Sequence, residues 1–552
     1  MRLDRAFPAA LLVFALAGCA AHTSAPGPAA GAAPPSAGAP AGWQLDWARD
    51  AVFYEVFVRS FSDSNGDGVG DLQGLIDKLD YLNDGDPRTT TDLGVTALWL
   101  MPIFKSPSYH GYDVTDYETI QRAYGTNEDF GRLCREAHRR GIKVIVDLVM
   151  NHTSWQHPWF MVSVMGPATG DPSKRDWYLW RKDDPGWLRP WLPSATWHHL
   201  KGTDGYYYGL FYGGMPDLDY RNAEVREEMR FVSKLWLDRG VDGFRLDAAR
   251  YLIETPDGQV QDTEETHAYW REFSAHVRSI NPGALLVGEN WTDTATIATY
   301  YGDTAKVPGG DELPMNFDFP VSDAIRGALK TGDAGGLAAQ LRANQAAYPA
   351  GAMNAPFLTN HDQIRIATQL GGDAGKLRTA AALLLTLPGT PFLYYGEEVG
   401  VRQPDAGDDE FKRTPMPWGP TPVTVGFTTG KPWMRPVKGF EKANVKVQSA
   451  DPASLLSRYR TLIRVRQGSA ALRHGTLQLL PSSGGLLAYV RKSGSEEVLV
   501  VHNVGTAAAG LELPVSGKPA PLLVDAGVAA TGGERIRVEL PGLSTGVWTL
   551  KR

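Results

Sequence analysis

The chain has little cysteine, no run of basic residues, and no large excess of charge of one sign. Its 552 residues include two cysteines, and Cys19 falls in an export segment, so a structural disulfide is not expected. Cys134 lies in the apparently amphipathic segment 130–138 and is interpreted as a small core residue. The net charge of −7, with both signs spread along the chain, argues against a nucleic-acid partner and gives no indication of an oligomeric state.

The N-terminal apolar run, residues 9–17, is too short to cross a membrane but has the length of an export signal. It ends in Leu16-Ala17-Gly18-Cys19, which resembles the lipobox of bacterial lipoproteins. We therefore predict a lipoprotein signal peptide at residues 1–18, a lipid on Cys19, and anchorage to a bacterial membrane in the periplasm or at the cell surface. The alternative is an ordinary secretory signal with an incidental cysteine. Residues 19–42, rich in Ala, Pro, Gly and Ser, are predicted to form a flexible tether.

Residues 43–471 alternate between apolar strand-like runs and segments with helical spacing of apolar residues. Eight such alternations predict a (β/α)₈ barrel, a fold of the α/β class. The predicted strands are 52–58, 96–102, 143–150, 240–247, 284–289, 315–319, 355–359 and 391–395.

Two regions depart from this alternation. About 70 residues, rich in Trp, Tyr, Gly, Pro and His, separate the third strand from the next helix, and we interpret residues 153–220 as an inserted domain beside a cleft. Residues 472–552 contain short β-prone runs with Gly, Ser and Pro between them, which predicts a C-terminal antiparallel β-sandwich.

The segment 241–248 is the most informative of the predicted strands, because it ends on a charged pair. Arg245 and Asp247 alternate with buried apolar residues and therefore leave the same face of the strand. A carboxylate at the end of a barrel strand, beside a fixed positive charge, stays ionised and can attack an electrophilic carbon. The alternative is a buried ion pair that only holds two strands together.

Polar clusters also follow the other predicted strands. They are residues 109–113 after the second strand, Asn151 and His152 after the third, Glu289 at the end of the fifth, and residues 360–362 after the seventh. Because the loops at the carboxyl ends of barrel strands share one rim, we expect these clusters to face one another.

The segment 63–71 places an oxygen ligand at every second position, with glycines between. Asp63, Asn65, Asp67 and Asp71 would offer side-chain oxygens and Val69 its backbone carbonyl, a ligand set that suits Ca²⁺. An EF-hand would need Glu at its twelfth position, where Gly74 stands, so the expectation is a calcium loop of another kind. The alternative is an Asx/Gly turn that caps the helix starting near Asp71.

Taken together, these motifs resemble glycoside hydrolase family 13, the α-amylase family, from about Trp43 to the C-terminus. The motifs that carry the resemblance are DLVMNH at 147–152, MPDLD at 215–219, GFRLDAAR at 243–250, GEN at 288–290, TNHD at 359–362 and GTPFLYYGEE at 389–398. The inserted segment resembles the domain B of this family, and the tail its domain C.

The resemblance implies roles for seven residues and no organic cofactor. It implies Asp247 as nucleophile, Glu289 as acid/base, Asp362 as the third carboxylate, Arg245 as the partner of the nucleophile, His152 and His361 as hydrogen-bonding groups to the sugar, and Tyr112 as a stacking platform. The implied reaction is retaining hydrolysis of an α-glucan through a covalent glycosyl-enzyme.

Finer features bear on the substrate. MPDLD resembles members between the neopullulanase and oligo-1,6-glucosidase types. The stretches RTPMPW at 413–418 and GFTTGKPW at 426–433 resemble oligo-1,6-glucosidase relatives. Exo-acting relatives carry Asp where Tyr109 stands, so we favour endo-acting α-1,4 hydrolysis of starch or maltooligosaccharides, with transglycosylation as a further outcome. Alternatives are an exo-α-glucosidase, a glucan transferase or trehalose-forming isomerase, and a non-catalytic sugar-binding barrel. Arg250 and Tyr251 replace the usual Lys-His, so acceptor contacts and a calcium site near Asn151 are not carried over.

Overall fold

Eight parallel strands form the centre of the fold in a computed structural model that describes residues 42–202, 205–404 and 408–551. The strands are β1 Phe53–Val56, β2 Ala97–Leu100, β3 Lys143–Leu148, β4 Gly243–Leu246, β5 Leu285–Gly288, β6 Met315–Phe317, β7 Met353–Ala355 and β8 Phe392–Tyr394. Their order is β7-β6-β5-β4-β3-β2-β1-β8. A parallel bridge between Phe357 and Phe392 joins the two ends of this sheet, and the predicted (β/α)₈ barrel is confirmed.

The seventh strand differs from its prediction. It spans Met353–Ala355 instead of 355–359. Pro356 follows it and has no N–H to donate, so the regular ladder stops there. The chain stays beside β8 all the same, because the Phe392 N–H donates to the Pro356 carbonyl at 2.9 Å.

Helices cover the outside of the barrel. The longer ones are Asn127–Arg139, Ala223–Asp238, Glu264–Ile280, Phe319–Thr331, Gly335–Ala347, Ala374–Thr386 and Leu455–Gln467, and the shorter ones are Asp46–Asp50, Val58–Phe61, Leu72–Ile76, Leu79–Leu82, Thr294–Thr299, Ile366–Gln369, Val445–Ser449 and Ala470–His474. None of the helices in the described ranges combines the length and apolar character that a membrane crossing requires.

The helix Asn127–Arg139 illustrates why these segments are helical. Thr126 and Asp129 form a capping box at its start, which satisfies backbone N–H groups that the helix itself cannot pair. Phe130, Leu133, Cys134 and Ala137 recur at helical spacing and are buried. Cys134 is thus a free, buried residue of the apolar face.

Between β3 and the helix Ala223–Asp238 the chain forms a small unit of its own. It contains the helix Pro158–Thr169, a 3₁₀ turn at Arg175–Trp177, and three short antiparallel strands, Trp180–Arg181, Trp197–His199 and Tyr206–Tyr208. Trp197, Tyr208 and Leu210 pack with Val260 of the loop after β4. This contact holds the inserted unit against the carboxyl-end rim of the barrel.

The C-terminal region contains two antiparallel sheets. Its strands are β9 Thr476–Leu479, β10 Leu486–Ser493, β11 Glu496–Asn503, β12 Ala509–Leu513, β13 Lys518–Val524, β14 Ala529–Thr531, β15 Ile536–Leu540 and β16 Ser544–Lys551. The sheet orders are β9-β10-β11-β16-β13 and β12-β15-β14. Buried apolar side chains of both sheets form one cluster, so the predicted C-terminal sandwich is confirmed.

Candidate active site

A cavity of about 540 Å³ opens at the carboxyl ends of the barrel strands. Asp247 follows β4, Glu289 follows β5, and Asp362 lies in the loop after β7. All three carboxyl groups line this cavity, although they come from distant parts of the chain. The convergence that the strand-end pattern predicted is therefore present.

Arg245 lies beneath the cavity and binds several carboxylates at once. Its Nη1 donates to Asp247 Oδ1 at 2.7 Å and to Asp147 Oδ1 at 2.8 Å, and its Nη2 lies 2.8 Å from Glu289 Oε2. The guanidinium is fully buried. The contact between Arg245 and Asp147 joins β4 to β3, which is the strand-linking ion pair considered as the alternative above. Asp247, in addition, faces the cavity.

Glu289 is a cavity carboxyl group whose pKa is raised. Burial raises its pKa to about 7; the charges of Asp247 and Asp362 act in the same direction, and Arg245 opposes them. The backbone N–H of Ala248 donates to Glu289 Oε2 at 3.1 Å. Ala248 has φ 52°, a left-handed conformation that non-glycine residues seldom adopt, so the turn after β4 is strained at the cavity.

Asp362 lies between two cations. Its Oδ2 is 3.1 Å from His361 Nε2 and its Oδ1 is 3.1 Å from Arg413 Nη2. Burial would raise its pKa, but the charges of His361 and Arg413 lower it well below the usual range. Burial alone would lower the pKa of His361, but the charges of Asp362 and Glu55 raise it to about 9. The contact with Glu55 is direct, because His361 Nδ1 lies 2.6 Å from Glu55 Oε1.

Tyr112 and His152 line the cavity, whereas His361 lies behind them. The Tyr112 ring stacks on the His361 ring with centroids 5.4 Å apart, and its hydroxyl contacts His361 Nε2 at 2.6 Å and donates to Asp147 Oδ2 at 3.0 Å. His152 Nε2 contacts the Tyr112 carbonyl at 3.1 Å. Both ring nitrogens of His361 thus already have protein partners.

Several residues of the site were not predicted. Asp147 could have been found as an inward-facing position of β3. Burial raises its pKa to about 6; Arg245 opposes this effect, and the charge of Asp247 adds to it. Glu55 could have been found as a lone charge within an apolar strand. Asp409 and Arg413 also line the cavity, and no local pattern indicated that their loop reaches it.

Aromatic side chains line the cavity on the side of β3 to β5. Trp191 and Phe211 come from the inserted unit, Tyr251 follows β4, and Trp291 follows β5. The Trp191 ring lies 5.4 Å from Tyr251 and 5.5 Å from Phe211. On the opposite side, after β7 and β8, the lining is charged.

The segment 63–71 forms a tight loop outside this cavity. Asp63, Asn65 and Asp67 each accept the backbone N–H two residues further on, at 2.8 to 3.0 Å. These repeated Asx turns are the kind of turn that the alternative for this loop expected, and each side-chain oxygen involved accepts a backbone N–H.

Asp71 has a second task at the end of that loop. It caps the helix Leu72–Ile76 by accepting the Gly74 N–H at 2.7 Å, as the capping alternative expected, and it also accepts from Ser64.

Among the described residues, no group of three or more His, Cys, Asp or Glu side chains is arranged to hold a metal. The predicted lipid-bearing Cys19 and the signal peptide lie outside the described residues.

The fold and the carboxylate site together define a glycoside hydrolase. The model of the alpha amylase catalytic domain matches residues 55–475, and the chain belongs to this family, glycoside hydrolase family 13. The prediction of an enzyme that acts on O-glycosyl bonds is confirmed, and the non-catalytic alternative is set aside.

Three relatives differ in their named activities. The chain is 40% identical over 440 residues to "Alpha-amylase 3" of Dictyoglomus thermophilum, covering 79% of this chain and 80% of that protein. It is 33% identical over 508 residues to "Oligo-1,6-glucosidase" of Heyndrickxia coagulans, with coverages of 80% and 89%. It is 34% identical over 492 residues to "Trehalose synthase/amylase TreS" of Mycobacterium tuberculosis, with coverages of 80% and 79%.

A solved structure supports the same fold. The crystal structure of an α-amylase from H. orenii superposes with a TM-score of 0.81 at 38% identity, covering 91% of this chain and 99% of that one. The family and the barrel are therefore established, while the relatives are named as an amylase, a glucosidase and a trehalose synthase/amylase.

Proposed function

We propose that the protein is a retaining α-glucan hydrolase that cleaves internal α-1,4-glucosidic bonds of starch and maltooligosaccharides. One observation carries this proposal: a single buried guanidinium binds two cavity carboxyl groups, Asp247 and Glu289. Asp247 receives Arg245 Nη1 at 2.7 Å, whereas burial raises the pKa of Glu289 to about 7. An ionised carboxylate beside a protonated carboxylic acid is the pair that two-step glycoside hydrolysis requires.

In the first step, Glu289 donates its proton to the glycosidic oxygen while the Asp247 carboxylate attacks C1 of the sugar. The leaving sugar departs and an ester joins Asp247 to the glycosyl unit. In the second step, water attacks C1, its proton passes to the Glu289 carboxylate, and Asp247 is released. Because one guanidinium holds both groups, their separation is short, which favours the retaining arrangement of about 5–5.5 Å.

The other residues bind and stabilise the reacting sugar. Asp362, kept ionised by His361 and Arg413, provides negative charge for the oxocarbenium-like transition state. Tyr112 presents its ring to the sugar and His152 a hydrogen bond, since both line the cavity. We assign His361 an indirect role through Asp362 and Tyr112, because it is buried behind them.

A second candidate function is exo-acting cleavage. Tyr109 stands where exo-acting relatives carry a blocking Asp, but its hydroxyl donates to Asp409 Oδ2 at 2.6 Å, and Asp409 lines the cavity. A carboxylate thus reaches this end of the site from another loop. If Asp409 closes this end of the cavity against longer glucan chains, the protein acts as an α-glucosidase. A third outcome is the formation of trehalose, which the relative named trehalose synthase/amylase suggests.

Product analysis separates these functions. Endo-acting hydrolysis produces mixed maltooligosaccharides from soluble starch, exo-action produces only glucose, and isomerisation produces trehalose from maltose. The variant Asp247→Asn should lose turnover by roughly 10⁴-fold or more while staying folded. Asp183→Asn, an exposed position in the inserted unit, is the matched control and should keep wild-type turnover. Near-wild-type turnover in Asp247→Asn would exclude the proposed mechanism.

We also propose that the loop 63–71 binds Ca²⁺ through Asp63, Asn65, Asp67, Asp71 and the Val69 carbonyl. Its support is the oxygen-only donor set, spaced at every second position of one short loop. The ion would fasten the loop between β1 and the barrel helices, a structural and not a catalytic contribution.

Finally, we propose that the protein is exported and held at a bacterial membrane through a lipid on Cys19. The lipobox-like Leu16-Ala17-Gly18-Cys19 and the tether-like composition of residues 19–42 support this location. An anchored enzyme of this kind would meet α-glucans outside the cytoplasm.

A further inference from the structure

Trp433, which is not among the described residues that line the cavity, is fixed by several neighbours. Its backbone N–H donates to the Gly68 carbonyl of the loop 63–71 at 2.8 Å. Its indole Nε1 donates to Ser60 Oγ at 3.1 Å, and the Arg59 guanidinium lies 4.9 Å from the ring centroid. The indole is therefore held at its backbone, at its polar edge and over its ring.

The ring of Trp433 supports Tyr109. The two rings stack with centroids 5.7 Å apart and an interplanar angle of 25°. The Tyr109 hydroxyl donates to Asp409 Oδ2 at 2.6 Å, and Arg413 Nη1 lies 3.4 Å from the same hydroxyl. The Arg413 guanidinium also lies 5.6 Å from the centroid of the Tyr109 ring, so the position of this ring limits where the guanidinium can lie.

Arg413 has a second link to Trp433 through Ser60. Ser60 Oγ, which accepts the indole N–H of Trp433, donates to the Arg413 carbonyl at 2.6 Å. Arg413 is buried, and its Nη2 lies 3.1 Å from Asp362 Oδ1 and 3.0 Å from Asp409 Oδ2. Because one nitrogen serves two cavity carboxylates, a shift of the guanidinium towards Asp409 lengthens its contact with Asp362.

We propose that Trp433 is a positioning residue for the reaction, because its ring holds Tyr109 and thereby keeps Arg413 against Asp362. The inference rests on the proposed function, in which the Asp362 carboxylate stabilises positive charge on the reacting sugar. Without the Trp433 ring, Tyr109 can tilt into the space that the indole leaves, and Arg413 loses the ring beside its guanidinium. Asp362 is then held less firmly, and a cationic sugar in the cavity binds more weakly.

The test measures how tightly the cavity holds such a cation. The probe is 1-deoxynojirimycin, a glucose-like ring that carries a protonated amine at mildly acid pH, and its inhibition constant is determined from cleavage of maltotetraose by the full-length enzyme. This constant does not depend on the fraction of enzyme that is folded, so a loss of stability alone leaves it unchanged.

The substitutions separate the flat ring from the apolar bulk of Trp433. We expect Trp433→Leu, which keeps an apolar side chain but no ring, to raise the inhibition constant about fivefold. Trp433→Phe restores a ring and should stay within about twofold of the wild type. Tyr109→Leu removes the same stack from its other side, and it tests the inference if Trp433→Leu does not fold.

A double variant shows whether Trp433 acts through Tyr109. Tyr109→Leu should raise the constant at least as much as Trp433→Leu, and Trp433→Leu/Tyr109→Leu should match Tyr109→Leu alone. Trp418→Leu is the matched control, since this tryptophan also follows β8 but packs on Phe61 and Tyr81. It should lower the melting temperature and leave the inhibition constant unchanged.

The positioning role of Trp433 is wrong if Trp433→Leu keeps the wild-type inhibition constant, if Trp433→Phe is as weak as Trp433→Leu, or if the two single losses add in the double variant. A wild type that cleaves maltotetraose without inhibition by 1-deoxynojirimycin would overturn it as well. A wild type that cleaves no α-glucan would instead remove the proposed function.

Discussion

Replacing Glu289 by Gln should stabilise the protein at alkaline pH and not at acid pH. In the unfolded chain this carboxyl group titrates near 4.5, whereas burial raises its pKa to about 7 in the folded protein. The folded state therefore binds more protons between these two values, and wild-type stability falls as the pH rises through this window. Gln cannot ionise, so the variant does not undergo this loss.

The size of the effect follows from the same two values. They differ by about 2.5 pH units, which corresponds to roughly 3 kcal/mol at about 1.36 kcal/mol per unit. Because 14% of the side chain is exposed to the cavity, solvent screens part of this energy, and we expect about 2 kcal/mol. The Gln side-chain carbonyl can still accept from Arg245 and from the Ala248 N–H, so the variant should not lose these contacts.

The assay is urea unfolding followed by tryptophan fluorescence at about pH 4 and about pH 8, with the two free energies compared between variant and wild type. Glu534→Gln, an exposed position before β15, is the matched control and should change neither value. Equal effects of Glu289→Gln at the two pH values, or destabilisation at alkaline pH, would refute the argument that burial of this carboxylate costs folding energy.

Four further outcomes are expected. The alkaline limb of the kcat/KM profile should fall near pH 7, because Glu289 then loses the proton that the proposed mechanism requires; a limb above about pH 9 would point to a different acid. A chelator should lower the melting temperature of the wild type, and Asp67→Ala should abolish that sensitivity; equal sensitivity of both would argue against calcium in this loop. Cys19→Ser should move the exported protein from the membrane fraction to the soluble fraction. Gly243→Ala should destabilise the barrel by about 3 kcal/mol or more, measured by urea unfolding, because Gly243 has φ 153° and a Cβ would lie 2.2 Å from the Leu285 carbonyl oxygen on the next strand.

The sequence predicted the barrel because its signal is local and repeated. Each strand is a short apolar run of the kind that burial on both faces demands, and Asp247, Glu289 and Asp362 lie directly at or after such runs. Parallel strands must bring these ends to one rim, so no knowledge of packing was needed to group them. Boundaries were less well predicted: the apolar run suggested a strand over 355–359, but Pro356 cannot donate to the ladder and β7 ends at Ala355.

The partners of the cavity carboxylates could not be predicted in this way. Asp409 and Arg413 reach the cavity from a loop whose RTPMPW stretch indicated related proteins but no position in the fold. Only the path of that loop over the barrel mouth places Arg413 against Asp362. The contact between Arg250 and the Trp291 carbonyl likewise joins a side chain of one loop to the backbone of another. A backbone carbonyl leaves no trace in the sequence that could indicate such a bond.

The sequence by itself determined the fold, the family and the three carboxylates, since periodicity and strand-end positions are properties of neighbouring residues. Only the tertiary structure decided how protons and charge are distributed among those carboxylates. Glu55 and His361, 306 positions apart in the chain, make the contact that helps keep His361 charged beside Asp362, and burial in the folded protein raises the pKa of Glu289. These effects depend on distance in space and on exclusion of water, which arise only when the chain has folded.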